Sequence, residues 1–100
     1  MSAEYTFTAE LWEWQSKASW YFLSLPDGVA DEIDDRFGGN AAGFGSLRVE
    51  VTVGATTWRT SIFPSTAERT YVLPVKKAVR TAERLDVGTT ADVRLTVLVD

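Results

Sequence analysis

One hundred residues, 45% of them apolar, carry 14 acidic and 10 basic side chains for a net charge of −4. A chain this short builds one core, so a single domain over residues 1–100 is expected, and its apolar fraction excludes disorder driven by low hydrophobicity. The absence of cysteine and histidine excludes a disulfide framework, thiolate chemistry, thiolate or imidazole metal sites and histidine acid–base catalysis. Acidic net charge argues against unspecific nucleic-acid binding, which depends on neutralising phosphates.

Taken in chain order, residues 4 to 14 alternate Tyr5, Phe7, Ala9 and Leu11 with Thr6, Thr8, Glu10 and Trp12, the period of a half-buried strand. Gln15 to Ala18 reads as a polar turn, and Ser19 to Leu25 as a second strand that pairs with the first in a hairpin. Pro26 ends it. Asp27 is the expected N-cap of a short helix whose apolar stripe is Val29, Ile33 and Phe37, with Asp31 and Glu32 near its start, Arg36 near its end, and Gly38-Gly39 as its stop. Residues 38 to 45 read as a loop. Leu47, Val49, Val51 and Val53 mark a third strand over 44 to 53, and Gly54-Ala55 a tight connection. A fourth strand over 56 to 63 has Trp58, Thr60 and Ile62 on one face, Arg59, Ser61 and Phe63 on the other, and Pro64 as its stop. Residues 69 to 73 form a fifth strand. Val75, Ala78, Val79, Ala82 and Leu85 then fall at helical spacing, and Val93, Leu95, Val97 and Val99 mark a last strand.

The two halves echo each other at an offset of 48 residues: Leu25-Pro26 matches Leu73-Pro74, and Leu47, Val49 and Val51 match Leu95, Val97 and Val99. Each half reads strand, strand, helix, strand. An internal ββαβ duplication that closes into a barrel-like body with a helix at each end accounts for the pattern and leaves few open sheet edges. Met1 to Tyr5 shows no leader pattern and no apolar run nears the length of a membrane span, so a cytoplasmic, non-membrane location is expected.

The stretches Val49-Glu50-Val51-Thr52-Val53-Gly54, Thr57 to Pro64 and Tyr71 to Arg80, with Phe7-Thr8-Ala9 and Leu25-Pro26, resemble the bacterial family called domain of unknown function 1905. The resemblance implies a mainly β fold, a six-stranded double-split pseudobarrel capped by two short α-helices and akin at fold level to AbrB-type DNA-binding domains. It implies no function and no catalytic residues. The chain departs from the pattern at Gly88 to Asp92, where relatives tend to have Gly-Asp before the last strand.

Lys76 and Lys77 break a rule that the first helix obeys. They stand at a helix start, where free N–H groups disfavour cations. Such a violation points to an anion site, and Trp58, Arg59, Ser61, Lys76, Lys77 and Arg80 are its candidate ligand-binding residues. Solvated lysines explain the same pattern at small energetic cost. Four tryptophans in 100 residues either line a pocket for a flat ligand or fill a small barrel. The acids at 31, 32, 34 and 35 fan around a helix and lack metal-loop spacing, so no metal site is expected. No catalytic residue and no cofactor is assigned, and an enzyme is not expected. The expected function is a small, monomeric, cytoplasmic binding module for an anionic or aromatic small ligand. The alternatives are an AbrB-like DNA-binding or regulatory accessory protein, and a protein-interaction domain that docks through an exposed tryptophan face.

Overall fold

A computed structural model describes residues 3–15, 19–41 and 43–99. Six strands and two helices follow in the order β1 (Glu4–Gln15), β2 (Ser19–Ser24), α1 (Asp27–Phe37), β3 (Leu47–Val53), β4 (Thr56–Ser65), β5 (Thr70–Pro74), α2 (Lys77–Glu83) and β6 (Thr90–Val97). Two single 3-10 turns, Gly38–Asn40 and Gly43–Gly45, lie where a plain loop was expected. Every pairing is antiparallel, and the strands close into a barrel in the order β1-β2-β5-β4-β3-β6. Closure removes the unpaired edges that a small open sheet would expose. No helix among the described residues is long and apolar enough to cross a membrane.

Two strands change partner partway along. β1 pairs with β6 over Glu4 to Glu10 and with β2 from Leu11 onward. β4 pairs with β3 up to Ile62 and with β5 from Phe63. Where the switches occur, Leu11, Leu23 and Leu73 stand in one row of Cα partners, and the register places Ile62 beside Leu73. All four are fully buried. The rest of the interior comes from the alternating valines and leucines of β3 and β6, with Ile33 and Phe37 of α1 and Val79 of α2 packed on it.

The prolines follow from this geometry. β4 was expected to stop at Pro64, yet it continues to Ser65, with Pro64 opposite Tyr71. The Tyr71 carbonyl accepts from Leu25 N at 3.0 Å, so the polar groups of Tyr71 face β2. Pro64 then points its N away from β5, toward the side that β3 has left. Val75 N likewise donates to Tyr21 O at 2.9 Å, which makes Phe22 and Pro74 a pair without mutual hydrogen bonds and turns Pro74 N away from β2. Each proline therefore lacks its donor where no strand is waiting.

The helices differ from expectation at their ends. Asp27 is the first residue of α1 rather than its cap; Pro26 holds the cap position and no side chain caps the helix. Pro26 offers its carbonyl to Ala30 N at 2.9 Å, and Asp27 serves through its charge near the positive end. Gly38 closes α1 in ordinary right-handed geometry, and the chain tightens into a 3-10 turn. Helix α2 has seven residues, so Val75 and Leu85 of the expected stripe flank it; both are buried, while Ala78 and Ala82 are exposed. Arg84, at φ 54°, ends α2 in left-handed geometry and donates its N–H to the carbonyls of Arg80 and Thr81. On the first helix, Arg36 Nη1 donates to Tyr5 Oη at 2.8 Å, and Tyr71 Oη donates to Asp34 Oδ1 at 3.3 Å. Burial first, then the Asp34 charge and this hydrogen bond, push the Tyr71 phenol above its ordinary pKa.

Candidate functional site

Because β4 joins β5 only from Phe63 onward, the last residues of β5 and the first half of β4 diverge. A groove of about 400 Å³ occupies the gap, within the size range of small-molecule sites, roughly 300–1,000 Å³. Trp58, Thr60 and Phe63 supply one wall, Pro74 and Val75 the floor, and Lys76 and Arg80 the helix side. The β1–β2 hairpin closes it with Ser19, Trp20 and Tyr21. Tyr21 lies on the same hairpin face as the buried Leu23, but beyond the barrel interior, so its ring turns toward α2.

Arg80 is the most constrained cation in the groove. Its Nε donates to Val75 O at 3.1 Å, and its guanidinium carbon lies 3.7 Å from the centre of the Tyr21 ring. One edge is held by backbone and one face by an aromatic ring, which leaves the terminal nitrogens as the free donor edge. The ion pairs among the described residues are Arg36–Glu32 and Arg59–Glu50, so neither Arg80 nor Lys76 is neutralised by direct contact. Glu13 is the nearby acid. A hydrogen bond from Ser19 above all, with further help from Gln15, Tyr21 and the Arg80 charge, outweighs partial desolvation and holds its carboxyl below the ordinary range.

Of the six residues singled out in the sequence, the fold brings Trp58, Lys76 and Arg80 into this groove. Lys77 is the exposed first residue of α2 and does not line it. Arg59 and Ser61 are on the outer face of β4, where Arg59 Nε donates to Glu50 Oε2 at 3.1 Å and Arg48 Nη1 donates to Ser61 Oγ at 3.3 Å. Trp20, Tyr21, Thr60, Phe63, Pro74 and Val75 enter the groove unanticipated. Trp20, Tyr21, Thr60 and Phe63 were expected on strands, Pro74 just past the fifth strand and Val75 in the helical stripe, but the meeting of hairpin and helix depends on the partner switch, which has no mark in local sequence.

The outer surface of the barrel has two characters. Over β1, β6, β3 and the start of β4 it carries Thr6, Thr8, Arg94, Thr52 and Thr57 with mixed charges. Over the β1–β2 hairpin, Trp12 faces Phe22 and Trp14 faces Trp20 across the strands. Trp20 shares the face of Trp12 and Trp14. Trp12 and Phe22 pack with ring centres 5.2 Å apart, and Trp12 Nε1 donates to Ser24 Oγ at 2.8 Å. Trp14 and Trp20 are each 52% exposed, so they, not Trp12, are the accessible indoles. The tip residues Ser16, Lys17 and Ala18, expected as part of the turn, lie outside the described residues; Gln15 still belongs to β1.

The molecule is a mainly β protein, a closed six-stranded barrel with two helices and an aromatic groove that carries two cations. It belongs to the family described as DUF1905, a domain of unknown function, whose model matches residues 7–95. No curated protein matches the chain. Among the described residues no group of acids forms a metal-binding cluster.

Proposed function

We propose that this barrel is a binding module for a small ligand with an aromatic body and an anionic group, held between the β1–β2 hairpin, β4 and α2. The observation that carries the reading is Arg80, fixed by Val75 O and Tyr21 with its terminal nitrogens open to an aromatic groove. A preoriented guanidinium loses little freedom on accepting an anion. In this reading the protein is a cytoplasmic monomer that binds without catalysis of its own, in keeping with a sequence that holds no histidine and no cysteine. Its fold is a double-split barrel made by ββαβ duplication. The partner changes of β1 and β4 support this, as does a pairing order that is unchanged when β1, β2 and β3 are exchanged for β4, β5 and β6. Val49–Val97 and Ser24–Val72, each pair 48 positions apart, are direct partners, as a two-fold axis through both seams would require.

The test is tryptophan fluorescence with a panel of arene carboxylates, arene phosphates and mononucleotides. At least one should change the emission saturably. Arg80→Gln should weaken that binding by about 10-fold or more, since a charge-assisted hydrogen bond contributes roughly 1.5–3 kcal/mol. Arg59→Ala should leave it unchanged. A panel without any response overturns the reading.

A second reading, a protein-interaction domain, is favoured by the half-exposed Trp14 and Trp20 on the outer aromatic face. Trp14→Ser with Trp20→Ser should then abolish retention of a partner that the wild-type protein and Arg80→Gln both retain from host extract. Equal retention by all three would remove the reading.

A further inference from the structure

The closed ring still leaves a stretch of β4 unpaired on one side. Leu98 N donates to Arg48 O at 2.9 Å, so Arg48 faces β6 and its neighbours Leu47 and Val49 face β4. Their partners Ile62 and Thr60, with Trp58, turn their backbone N–H and C=O groups toward β3. Thr57, Arg59 and Ser61 turn theirs the other way. On that side β5 begins to pair only at Phe63, and among the described residues no strand, turn or cap hydrogen bond meets the outward groups of Arg59 and Ser61. Ser61 would be next in the ladder, opposite Pro74, which has no N–H to give. An edge of this kind is a template for a further strand. The groove runs beside it, because Trp58, Thr60 and Phe63, which line the groove, alternate with Arg59 and Ser61.

Two features select the strand that fits. α2 is tied across the start of the edge, where Thr56 Oγ1 donates to Glu83 Oε2 at 2.6 Å, so an added strand has to end before the β3–β4 turn. A chain end therefore occupies the groove, and charge decides which one. Lys76 and Arg80 line the groove and take no part in the ion pairs among the described residues, which favours a terminal carboxylate and repels a terminal ammonium. With its carboxyl end toward Thr56, such a peptide runs antiparallel to β4. The stretch from Thr57 to Ser61 spans roughly 14 Å at about 3.4 Å per residue, room for about three residues. Trp20, Tyr21, Trp58 and Phe63 surround the last side chain with rings. β1 before Leu11 also lacks a strand on one side, but α1, which holds Tyr5 through Arg36, carries Asp27, Asp31, Glu32, Asp34 and Asp35 and repels the same carboxylate.

We infer that the groove receives the C-terminal end of an extended peptide, which adds as an antiparallel strand to the open edge of β4, sets an aromatic last side chain among the rings and gives its carboxylate to Arg80. This deepens the proposed small-ligand reading and rests on it. The test takes the intact protein, followed by nuclear magnetic resonance, through titration with acetylated tetrapeptides of threonine and valine that end in phenylalanine, tyrosine or tryptophan. Each is used as the free acid and as the C-terminal amide, alongside the arene carboxylates and phosphates that test the small-ligand reading. At least one free acid is expected to bind about 10-fold or more tightly than both its amide and the N-acetyl form of its last residue alone. Arg80→Gln should bring acid and amide to within about 3-fold. At saturation the peptide should slow hydrogen exchange of the Arg59 and Ser61 amides by about 10-fold or more and leave the Thr60 amide, already bonded to β3, unchanged. An arene response without any peptide response overturns the peptide and leaves the small-ligand site standing. No response to either set overturns both. Amides that bind as tightly as their acids overturn the carboxylate grip, and peptide binding without protection of Arg59 and Ser61 overturns the added strand.

Discussion

Leu23→Ala is expected to cost about 2–5 kcal/mol of folding stability, the range for deleting a fully buried leucine where the surroundings cannot collapse. Leu23 is wholly buried in the row that runs from Leu11 through Leu23 to Leu73, beside Ile62. That row crosses the barrel where β1 and β4 exchange partners. The strands on either side are fixed by hydrogen-bonded ladders around a closed ring, so they cannot move inward to fill the space left by three missing carbons. Urea unfolding should show a lower midpoint with an unchanged slope, and heating should show a melting point lower by about 10 °C or more, given the roughly 4–8 °C per kcal/mol typical of domains this small. Thr6→Ala, on the outer polar face, should stay within about 0.5 kcal/mol of wild type. A loss under about 1 kcal/mol for Leu23→Ala would mean that the row is not the packed centre described here.

Leu23 also shows what local pattern could and could not reveal. Its place on a strand was legible in the run of aromatic and aliphatic residues before Pro26. So were all six strands, both helices and the tight turn at Gly54, since each rests on a period of two or 3.6 that a few neighbouring residues carry. The partner switches were not legible, because they concern which strand lies beside which: β1 exchanges β6, at the far end of the chain, for β2, and β4 exchanges one hairpin neighbour for the other, and neither exchange leaves a local trace. Pro64 illustrates the point. In an ordinary strand it is a stop, but here its missing N–H faces the side vacated by β3, so the strand runs on. The candidate site divides in the same way. Trp58, Lys76 and Arg80 were found through their chemistry, whereas Arg59 and Ser61 were carried along by nearness in sequence although alternation sends them outward to Glu50 and Arg48. Tyr21 drew no notice because an aromatic residue in a strand is ordinary until a helix from the other half of the chain sets a guanidinium on it.

Gly54→Ala should be costly at a position where nothing is buried. Val53 and Thr56 are paired, so Gly54 and Ala55 form a two-residue hairpin turn, and Gly54 alone of the two has a positive φ, +58°. That is the pattern of a turn with glycine first, and an L-residue there costs about 1–3 kcal/mol. A second contribution arises from the tertiary structure. A Cβ on Gly54 would collide with the Glu83 carboxylate, which is not free to swing aside cheaply because its Oε2 accepts the Thr56 hydroxyl at 2.6 Å. Glu83 is the last residue of α2 and stands three residues after Arg80. Displacing it should loosen the end of the helix that docks on the β3–β4 turn, and with it the guanidinium that Val75 O and Tyr21 hold. The expected result is therefore double: a stability loss of about 1–3 kcal/mol in urea, and weaker binding of whichever aromatic anion the groove accepts. Adding Glu83→Ala to Gly54→Ala separates the two causes, since it removes the collision and leaves the backbone strain. If the collision matters, the double variant will fall short of the sum of the single losses by at least about 0.5 kcal/mol. Strict additivity would place the whole cost in the turn and leave α2, and Arg80 with it, independent of Gly54.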